Sequence, residues 1–275
     1  FGDKRRCQIV SDVISAQAFS DQDMMPAENV TVVLSEKGWV KAAKGHEIDS
    51  SALNYKSGDA FLKEAKGRSN KMAFFIDSSG RSYTLLANSL PSARGQGEPL
   101  TGRLTPPIGA EFIDVVMGDD EQLVILSSDA GYGFISTLGD LQSKTKSGKH
   151  AITLSKEAKT MRLTKVQNLE SDYLAVITNR ARLLIFQVSE LPHLSKGKGN
   201  KLINIKTDDF VAKEEFLIGL CIIKENQKLR VEYGNGKKHK QYSFSDLVNF
   251  TSHRARKGLT VPGVHGKALG IDAID

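Results

Sequence analysis

The sequence predicts an all-β fold, a propeller-like disc of about five four-stranded blades that is either closed or open. Hairpin-like segments recur five times at intervals of 42 to 56 residues, and a glycine-bearing loop follows each of the three central hairpins after 17 residues. Repeats of about 40–50 residues, each with roughly four short strands, are typical of propellers. The sequence also lacks the long helical periodicity of an α/β protein.

Each hairpin joins two runs of β-branched and aromatic residues through a turn rich in Gly, Asp and Ser. The turns are centred on Gly38, Gly80, Gly131, Arg180 and Gly236. Glycine supplies the positive φ angle that a tight turn needs. The fourth hairpin contains no glycine, so we expect Asn179 to adopt this conformation there.

The hairpins divide the chain into a connector over residues 1–29 and a propeller domain over 30–275. The expected blades cover residues 30–72, 73–122, 123–172, 173–227 and 228–275. Alternate strand residues face the core, and the predicted core residues are Trp39, Phe75, Ile125, Leu183 and Phe186. Because the chain starts without Met or an apolar signal region, we expect it to be part of a longer polypeptide.

The loop repeat places a glycine at the same distance after three successive turns, at Gly97, Gly148 and Gly197. In each loop a leucine precedes polar, mostly basic residues, and an apolar pair follows them. The last unit repeats this loosely over residues 247–261, and the first only weakly over 55–61. We expect these glycines to let backbone amides approach phosphate groups closely.

The positive charge of the chain is clustered in these loops. With 38 basic and 32 acidic residues, the net charge is +6. Basic residues at the same position of successive blades would lie along one rim of the disc, where each phosphate contact releases counterions without reading a base. This pattern favours nucleic-acid binding, and a protein-docking propeller is the alternative. The predicted DNA contacts are Lys41, Lys44, Arg94, Lys144, Lys146, Lys149, Lys196, Lys198, Lys201, Arg254, Arg256 and Lys257.

The net charge of successive chain segments predicts that the blades bind DNA with unequal strength. It is −4 for residues 73–122 and rises to +4 for residues 229–275. If the disc closes, one end of the DNA path should hold Arg254, Arg256, Lys257, Lys41 and Lys44. The three lysines of residues 144–149 should lie further along, and Arg94 should contribute because its loop matches the repeat.

The motifs of common enzyme and metal sites are missing from the sequence. It has no Gly-x-x-x-x-Gly-Lys-Ser/Thr loop and no Gly-x-Ser-x-Gly turn, and its six histidines lack metal-ligand spacing. Cys7 and Cys221, which lie 214 positions apart, suggest neither a disulfide framework nor a metal site. The apolar stretch at residues 216–223 is far shorter than the roughly 20 residues of a membrane helix. We therefore predict no catalytic residue, no metal site and no membrane span.

Several segments resemble a known family, the C-terminal region of the A subunit of bacterial topoisomerase IV, within the gyrase A C-terminal-domain family. They include Ser-Lys-Gly-Lys-Gly-Asn-Lys at residues 195–201. The others lie at residues 1–6, 38–49, 78–83, 90–101 and 128–134. The similarity covers nearly the whole chain, weakens after about residue 207, and is to the Gram-negative form.

The resemblance implies a β-pinwheel, a propeller-like disc whose blades exchange strands. It also implies that the basic outer rim binds and bends duplex DNA without sequence preference, helping an ATP-dependent type IIA topoisomerase to select the segment it passes during decatenation and supercoil relaxation. The expected partners are double-stranded DNA, the B subunit of topoisomerase IV and a bacterial condensin, and the expected location is the cytoplasm, at the nucleoid. The family's ATP, magnesium and reactive tyrosine belong to other regions, so no cofactor is expected in this chain.

One departure distinguishes the two branches of the family. The gyrase domain carries a Gln-Arg-Arg-Gly-Gly-Lys-Gly box after its first hairpin, which full wrapping requires. Here residues 47–58 stand in its place and include only one basic residue, Lys56. The departure favours topoisomerase IV over the gyrase wrapping domain, which remains the alternative.

Overall fold

The computed structural model describes residues 27–236 and 238–275, and its strands follow the sequence repeat. Cys7 and most of the predicted connector lie outside the described residues. The first unit contains β1 (Asn29–Ser35), β2 (Trp39–Lys44) and β3 (Phe61–Arg68). The second contains β4 (Met72–Asp77), β5 (Arg81–Leu86), β6 (Glu98–Pro99) and β7 (Phe112–Met117). The third contains β8 (Leu123–Ser127), β9 (Tyr132–Thr137), β10 (Lys149–His150) and β11 (Thr164–Lys165).

The fourth and fifth units repeat this order with one helical insertion. The fourth contains β12 (Tyr173–Thr178), β13 (Arg182–Gln187), β14 (Asn200–Lys201), α1 (Thr207–Val211) and β15 (Leu217–Ile223). The fifth contains β16 (Lys228–Tyr233), β17 (Lys238–Ser243), β18 (Leu259–Thr260) and β19 (Ala268–Ile274). Short 3₁₀ helices lie at Ser50–Ala52, Ala87–Ser89, Leu100–Gly102, Gly139–Leu141, Val188–Glu190 and Phe244–Phe250. No helix in the described ranges is long and apolar enough to cross a membrane.

Consecutive units exchange strands. Each of the first four sheets takes a hairpin and a third strand from its own unit. A two-residue strand of the next unit, the exchanged strand, pairs with the second strand of the hairpin. The four-stranded sheets have the orders β3-β1-β2-β6, β10-β5-β4-β7, β11-β8-β9-β14 and β15-β12-β13-β18. The fifth sheet has the order β17-β16-β19 in the described residues. The predicted all-β class and number of blades are confirmed, and the described part of the chain gives the last blade three strands instead of four.

The sheets surround a central cavity of about 1210 Å³, lined largely by β3, β7, β11, β15 and β19. Four apolar clusters of described residues each join two consecutive sheets, from the first and second to the fourth and fifth. None of these four spans the fifth and first sheets. Of the predicted core residues, Phe75, Ile125, Leu183 and Phe186 are fully buried. Packing between neighbouring sheets therefore forms the core of the disc.

Two local predictions are wrong. Trp39 is only half-buried, because its neighbour Val40 takes the core side of β2 and the ammonium of Lys56 lies 4.8 Å from the centre of the Trp39 ring. In the fourth hairpin Ala181, with φ of 55°, adopts the left-handed conformation predicted for Asn179. The Asn179 side chain accepts a hydrogen bond from Phe216 N at 3.0 Å instead.

The repeated loop glycines are required by the close approach of neighbouring strands within each sheet. The glycine before each exchanged strand has a φ angle between 73° and 88°, at Gly97, Gly148, Gly199 and Gly258. The third of these positions is Gly199, not the predicted Gly197, because Gly199 precedes β14 and its backbone lies against Gly133. A Cβ atom at Gly97 would lie 2.5 Å from the carbonyl oxygen of Val40. Close approach of two backbones explains the glycine repeat.

We predict that Gly97→Ala destabilises the domain strongly. Its φ of +88° disfavours alanine by about 1–2 kcal/mol. The contact with Val40 should add roughly 1–3 kcal/mol, because a backbone carbonyl of a neighbouring strand cannot move away. Gly45 is a matched control, since its φ is +85° and no atom lies within 4 Å of the position of a Cβ. Urea unfolding should show a larger loss for Gly97→Ala than for Gly45→Ala, and equal losses would contradict the packing argument.

Asp114 joins the second and third blades. Its carboxylate is buried and accepts hydrogen bonds from Leu163 N at 2.8 Å and Val115 N at 2.9 Å. Burial raises the pKa of Asp114 to about 6, although Lys63 and these two amides act in the opposite direction. In the folded state the Asp114 carboxyl group therefore stays protonated at pH values where the same group in the unfolded chain, with a pKa of roughly 3.9, is ionised.

This raised pKa predicts a pH-dependent stability. The contribution of Asp114 to the free energy of unfolding is most favourable below about pH 4 and falls as the pH rises toward 6. The loss should be on the order of 2 kcal/mol. We expect Asp114→Asn to abolish this pH-dependent loss. In urea unfolding, the free energy of unfolding of the variant should therefore rise relative to that of the wild type between pH 4 and pH 7. Parallel pH profiles for the two proteins would contradict the prediction.

Candidate nucleic-acid interface

The repeated loops lie along the hairpins of the preceding sheets. In the first loop, Ala42 N donates to Pro91 O at 2.8 Å, and Ala93 N donates to Ala42 O at 2.9 Å. In the third, Ile135 N donates to Pro192 O at 2.9 Å. Parallel bridges join Ala42 to Ser92, Ile135 to His193 and Ile185 to Thr251. Each loop therefore extends the sheet before its own along the outside of the disc.

Successive loops are connected by an equivalent hydrogen bond, which each loop accepts from the segment that follows the preceding exchanged strand. Residues that follow one exchanged strand donate to the residue two positions before the glycine of the next loop. The bonds run from Thr105 N to Lys146 O, from Thr153 N to Gly197 O and from Asn204 N to Arg256 O, each at 2.8 Å. The four loops therefore form one continuous row, which we call the loop row (residues 91–97, 142–148, 192–199 and 251–258).

Most of the predicted DNA contacts are exposed on the loop row. They occupy the four residues before each glycine, namely Arg94, Lys144, Lys146, Lys196, Lys198, Arg256 and Lys257. The Lys198 ammonium lies 4.0 Å from the centre of the Tyr132 ring. The described residues provide no ion-pair partner for these seven side chains. Their positive charge therefore faces solvent uncompensated.

Three further candidates are half-buried and bonded to the protein. Lys149 Nζ donates to the carbonyl of Asp140, and Lys201 Nζ donates to Asn204 Oδ1 at 3.1 Å. Arg254 Nε donates to Glu190 O at 3.1 Å. These side chains retain further N–H donors. They help to fix the loop row and keep positive charge beside it.

Of the two candidates in the first blade, one is buried and one is exposed. Lys41 is only 2% exposed, donates to Asn54 O at 2.6 Å and lies 3.9 Å from the centre of the Tyr55 ring. Burial lowers the pKa of Lys41. The prediction of Lys41 as a DNA contact is therefore corrected, because its ammonium is enclosed within the blade. Lys44 is exposed, and its Nζ lies 2.9 Å from Glu28 Oε2.

Strand exchange also changes the order of the charged clusters. The loop that carries Arg254, Arg256 and Lys257 packs on the fourth sheet through Ile185, although it belongs to the fifth unit. Lys44 lies on the first sheet. The fifth sheet therefore separates these clusters. They do not lie together at one end of the DNA path, as the sequence predicted, but at opposite ends of the loop row.

Sequence reasoning missed two basic residues beside the loop row, Arg180 and Lys206. Together with Lys257 they line a second cavity at the fourth blade. Arg180 occurs in a turn where the other hairpins have glycine, which was a usable signal. Lys206 directly precedes α1, an insertion that the repeat did not predict.

Comparison with known proteins assigns the fold. A family model described as DNA gyrase C-terminal domain, beta-propeller, matches residues 122–166 and 172–213. The solved structure of the Escherichia coli ParC C-terminal domain matches with a TM-score of 0.81 and 43% identity, over 90% of this chain and 99% of that domain. This chain belongs to the ParC C-terminal domain family. The family assignment and the predicted resemblance agree.

Full-length relatives of the ParC C-terminal domain are considerably longer than this chain. The A subunit of DNA topoisomerase 4 from Pseudomonas aeruginosa is 48% identical over 262 residues, which cover 95% of this chain and 34% of that protein. The corresponding protein of Escherichia coli strain K12 is 44% identical over 264 residues, 96% of this chain and 35% of that protein. The chain therefore spans about a third of these relatives. A DNA gyrase A C-terminal domain matches with a TM-score of 0.65 at 15% identity, which indicates a shared fold.

Proposed function

We propose that this domain binds duplex DNA along the loop row, without sequence preference, and bends it around the edge of the disc. The observation that carries the proposal is the equivalent hydrogen bond that joins consecutive loops, because it aligns their exposed cations on one continuous surface. Phosphates are regularly spaced along DNA, so a row of positive side chains can neutralise several of them without contacting a base.

The proposal extends to the longer protein. Relatives that contain this region are named as the A subunit of DNA topoisomerase 4. We infer that the chain is the non-catalytic DNA-binding part of such an ATP-dependent type IIA enzyme, and that it presents the segment to be passed in decatenation and supercoil relaxation. In that role its partners are duplex DNA, the B subunit of topoisomerase IV and a condensin, at the nucleoid in the cytoplasm. ATP and magnesium act in other regions of the enzyme.

A salt titration with the isolated domain tests DNA binding. If about 5 phosphates are neutralised, log K against log salt should have a slope near −4 to −5. Two duplexes of equal length and different sequence should give the same affinity in fluorescence anisotropy. A flat salt response, or tight binding to a protein partner without DNA affinity, would favour the protein-docking alternative. Energy transfer between dyes at the duplex ends should rise on binding if the DNA is bent.

A further inference from the structure

A second cavity lies at one end of the loop row, in the fourth blade. Its volume is about 490 Å³, within the range of ligand-binding sites. The turn of the fourth hairpin, the segment before α1 and the exchanged strand β18 surround it. Its charged lining residues are Arg180, Arg182, Lys206, Asp209, Glu215 and Lys257. Four of these six carry positive charge, so the lining has an excess of two positive charges.

The most buried of the four cations is Arg182, whose side chain is only 10% exposed. Its Nε and Nη2 donate to the two carboxylate oxygens of Glu215, and Thr178 Oγ1 donates to Glu215 Oε1 at 2.9 Å. Among the described residues, Arg182 Nη1 is buried and has no hydrogen-bond partner. A buried N–H donor without an acceptor destabilises a protein. An acceptor that enters the cavity would remove this cost.

The remaining cations divide into one paired and two unpaired groups. Arg180 Nη2 lies 2.7 Å from Glu214 Oε2, and its Nη1 lies 4.0 Å from Asp209 Oδ2. Lys206 and Lys257 are exposed, and the described residues offer neither an ion-pair partner. Two free ammonium groups therefore border the cavity, and the free Nη1 donor of Arg182 lies buried in its lining residue. This combination suits an anion with several acceptor oxygens.

We propose that this cavity binds a phosphate group, with Arg182 Nη1 as the buried donor and Lys206 and Lys257 as the neutralising cations. The phosphate has two sources, the backbone of duplex DNA or a free phosphate compound. For DNA, the inference rests on the proposed function. Lys257 belongs both to the cavity and to the loop row, so a duplex that follows the row reaches the cavity at its end. A bound phosphate there would fix where the DNA path ends.

Titration with inorganic phosphate, followed by ¹⁵N NMR of the isolated domain at constant ionic strength, tests the site. Saturable shifts should centre on Asn204, Lys206 and the Arg182 guanidinium. Lys206→Ala should weaken phosphate binding about tenfold, since it removes one charged hydrogen-bond partner. Arg182→Lys should weaken it as well, while retaining a positive charge opposite Glu215. Lys224→Ala, a lysine bonded to Gln167 away from the cavity, is the matched control and should leave binding unchanged.

Duplex DNA distinguishes the two sources. If the backbone occupies the cavity, DNA should displace phosphate, and Lys206→Ala should reduce the salt slope of DNA binding by about one. If Lys206→Ala weakens phosphate binding but leaves DNA binding unchanged, the natural ligand is a free phosphate compound. If the wild-type domain binds phosphate at this cavity but does not bind DNA, the proposed function is wrong and the inference of a phosphate site still holds. Unsaturable shifts that are unaffected by Lys206→Ala, together with unchanged DNA binding, would overturn the inference.

Discussion

Replacing four lysines of the loop row with glutamine should weaken duplex binding on the order of a thousandfold at 0.1 M salt. The four are Lys144, Lys146, Lys196 and Lys198, all exposed on two adjacent loops. Each phosphate contact that is lost should reduce the salt slope by about one, so the slope should fall by roughly 3–4. The melting temperature should change little, because exposed side chains outside ion pairs contribute little to stability. Anisotropy titrations at several salt concentrations, with thermal unfolding, measure both effects.

The control replaces an equal number of lysines away from the loop row. Lys66, Lys224, Lys228 and Lys267 lie on or beside the third strands and on the fifth blade. Their replacement lowers the net charge by the same amount, so it separates position from total charge. Similar losses in both quadruple variants would show that only net charge matters, and the proposed DNA path would then be wrong.

Phe186→Ala should produce the largest loss of stability, about 3–5 kcal/mol in the free energy of unfolding. Phe186 is fully buried on β13, in the apolar cluster that joins the third and fourth sheets. Alanine at this position leaves a cavity at the junction between the third and fourth sheets. Urea unfolding monitored by far-UV circular dichroism measures the loss. Val248→Ala, at a position 61% exposed, should change stability by less than about 0.5 kcal/mol.

The hairpins could be predicted because the signals that encode them are local. Two apolar runs around a turn specify a hairpin within about 12 residues. This pattern identified all five units, four of them with glycine at the turn. The exchanged strands are only two residues long, too short for any periodicity. Their partners lie 58 to 78 residues earlier, as when Lys149 pairs with Ser82. Pairing at that distance depends on packing, so the resemblance indicated the exchange and the strand pattern did not.

The site residues show the same division between local and distant causes. Exposed loop cations were correctly located because Gly, Lys and Ser mark loops directly. The burial of Lys41 depends on Asn54 and Tyr55, which fold over it from a separate segment. Gly197 and Gly199 are equivalent in sequence, and only the close approach of Gly133 distinguishes them. Residues whose environment is set by a segment distant in the sequence cannot be identified from their own segment.

The exchange of strands also sets an order of events during synthesis. The fourth sheet takes β18 from the fifth unit, so the ribosome must release about 35 further residues after β15 before that sheet is complete. Each of the first four sheets therefore has an unpaired edge strand until the next unit is synthesised, and the first sheet can be completed earliest. A stop codon after the fourth unit would remove the fifth sheet and also strand β18, leaving the fourth blade incomplete. Premature termination should consequently damage one more blade than it deletes, and such fragments should be prone to aggregate through the exposed edge.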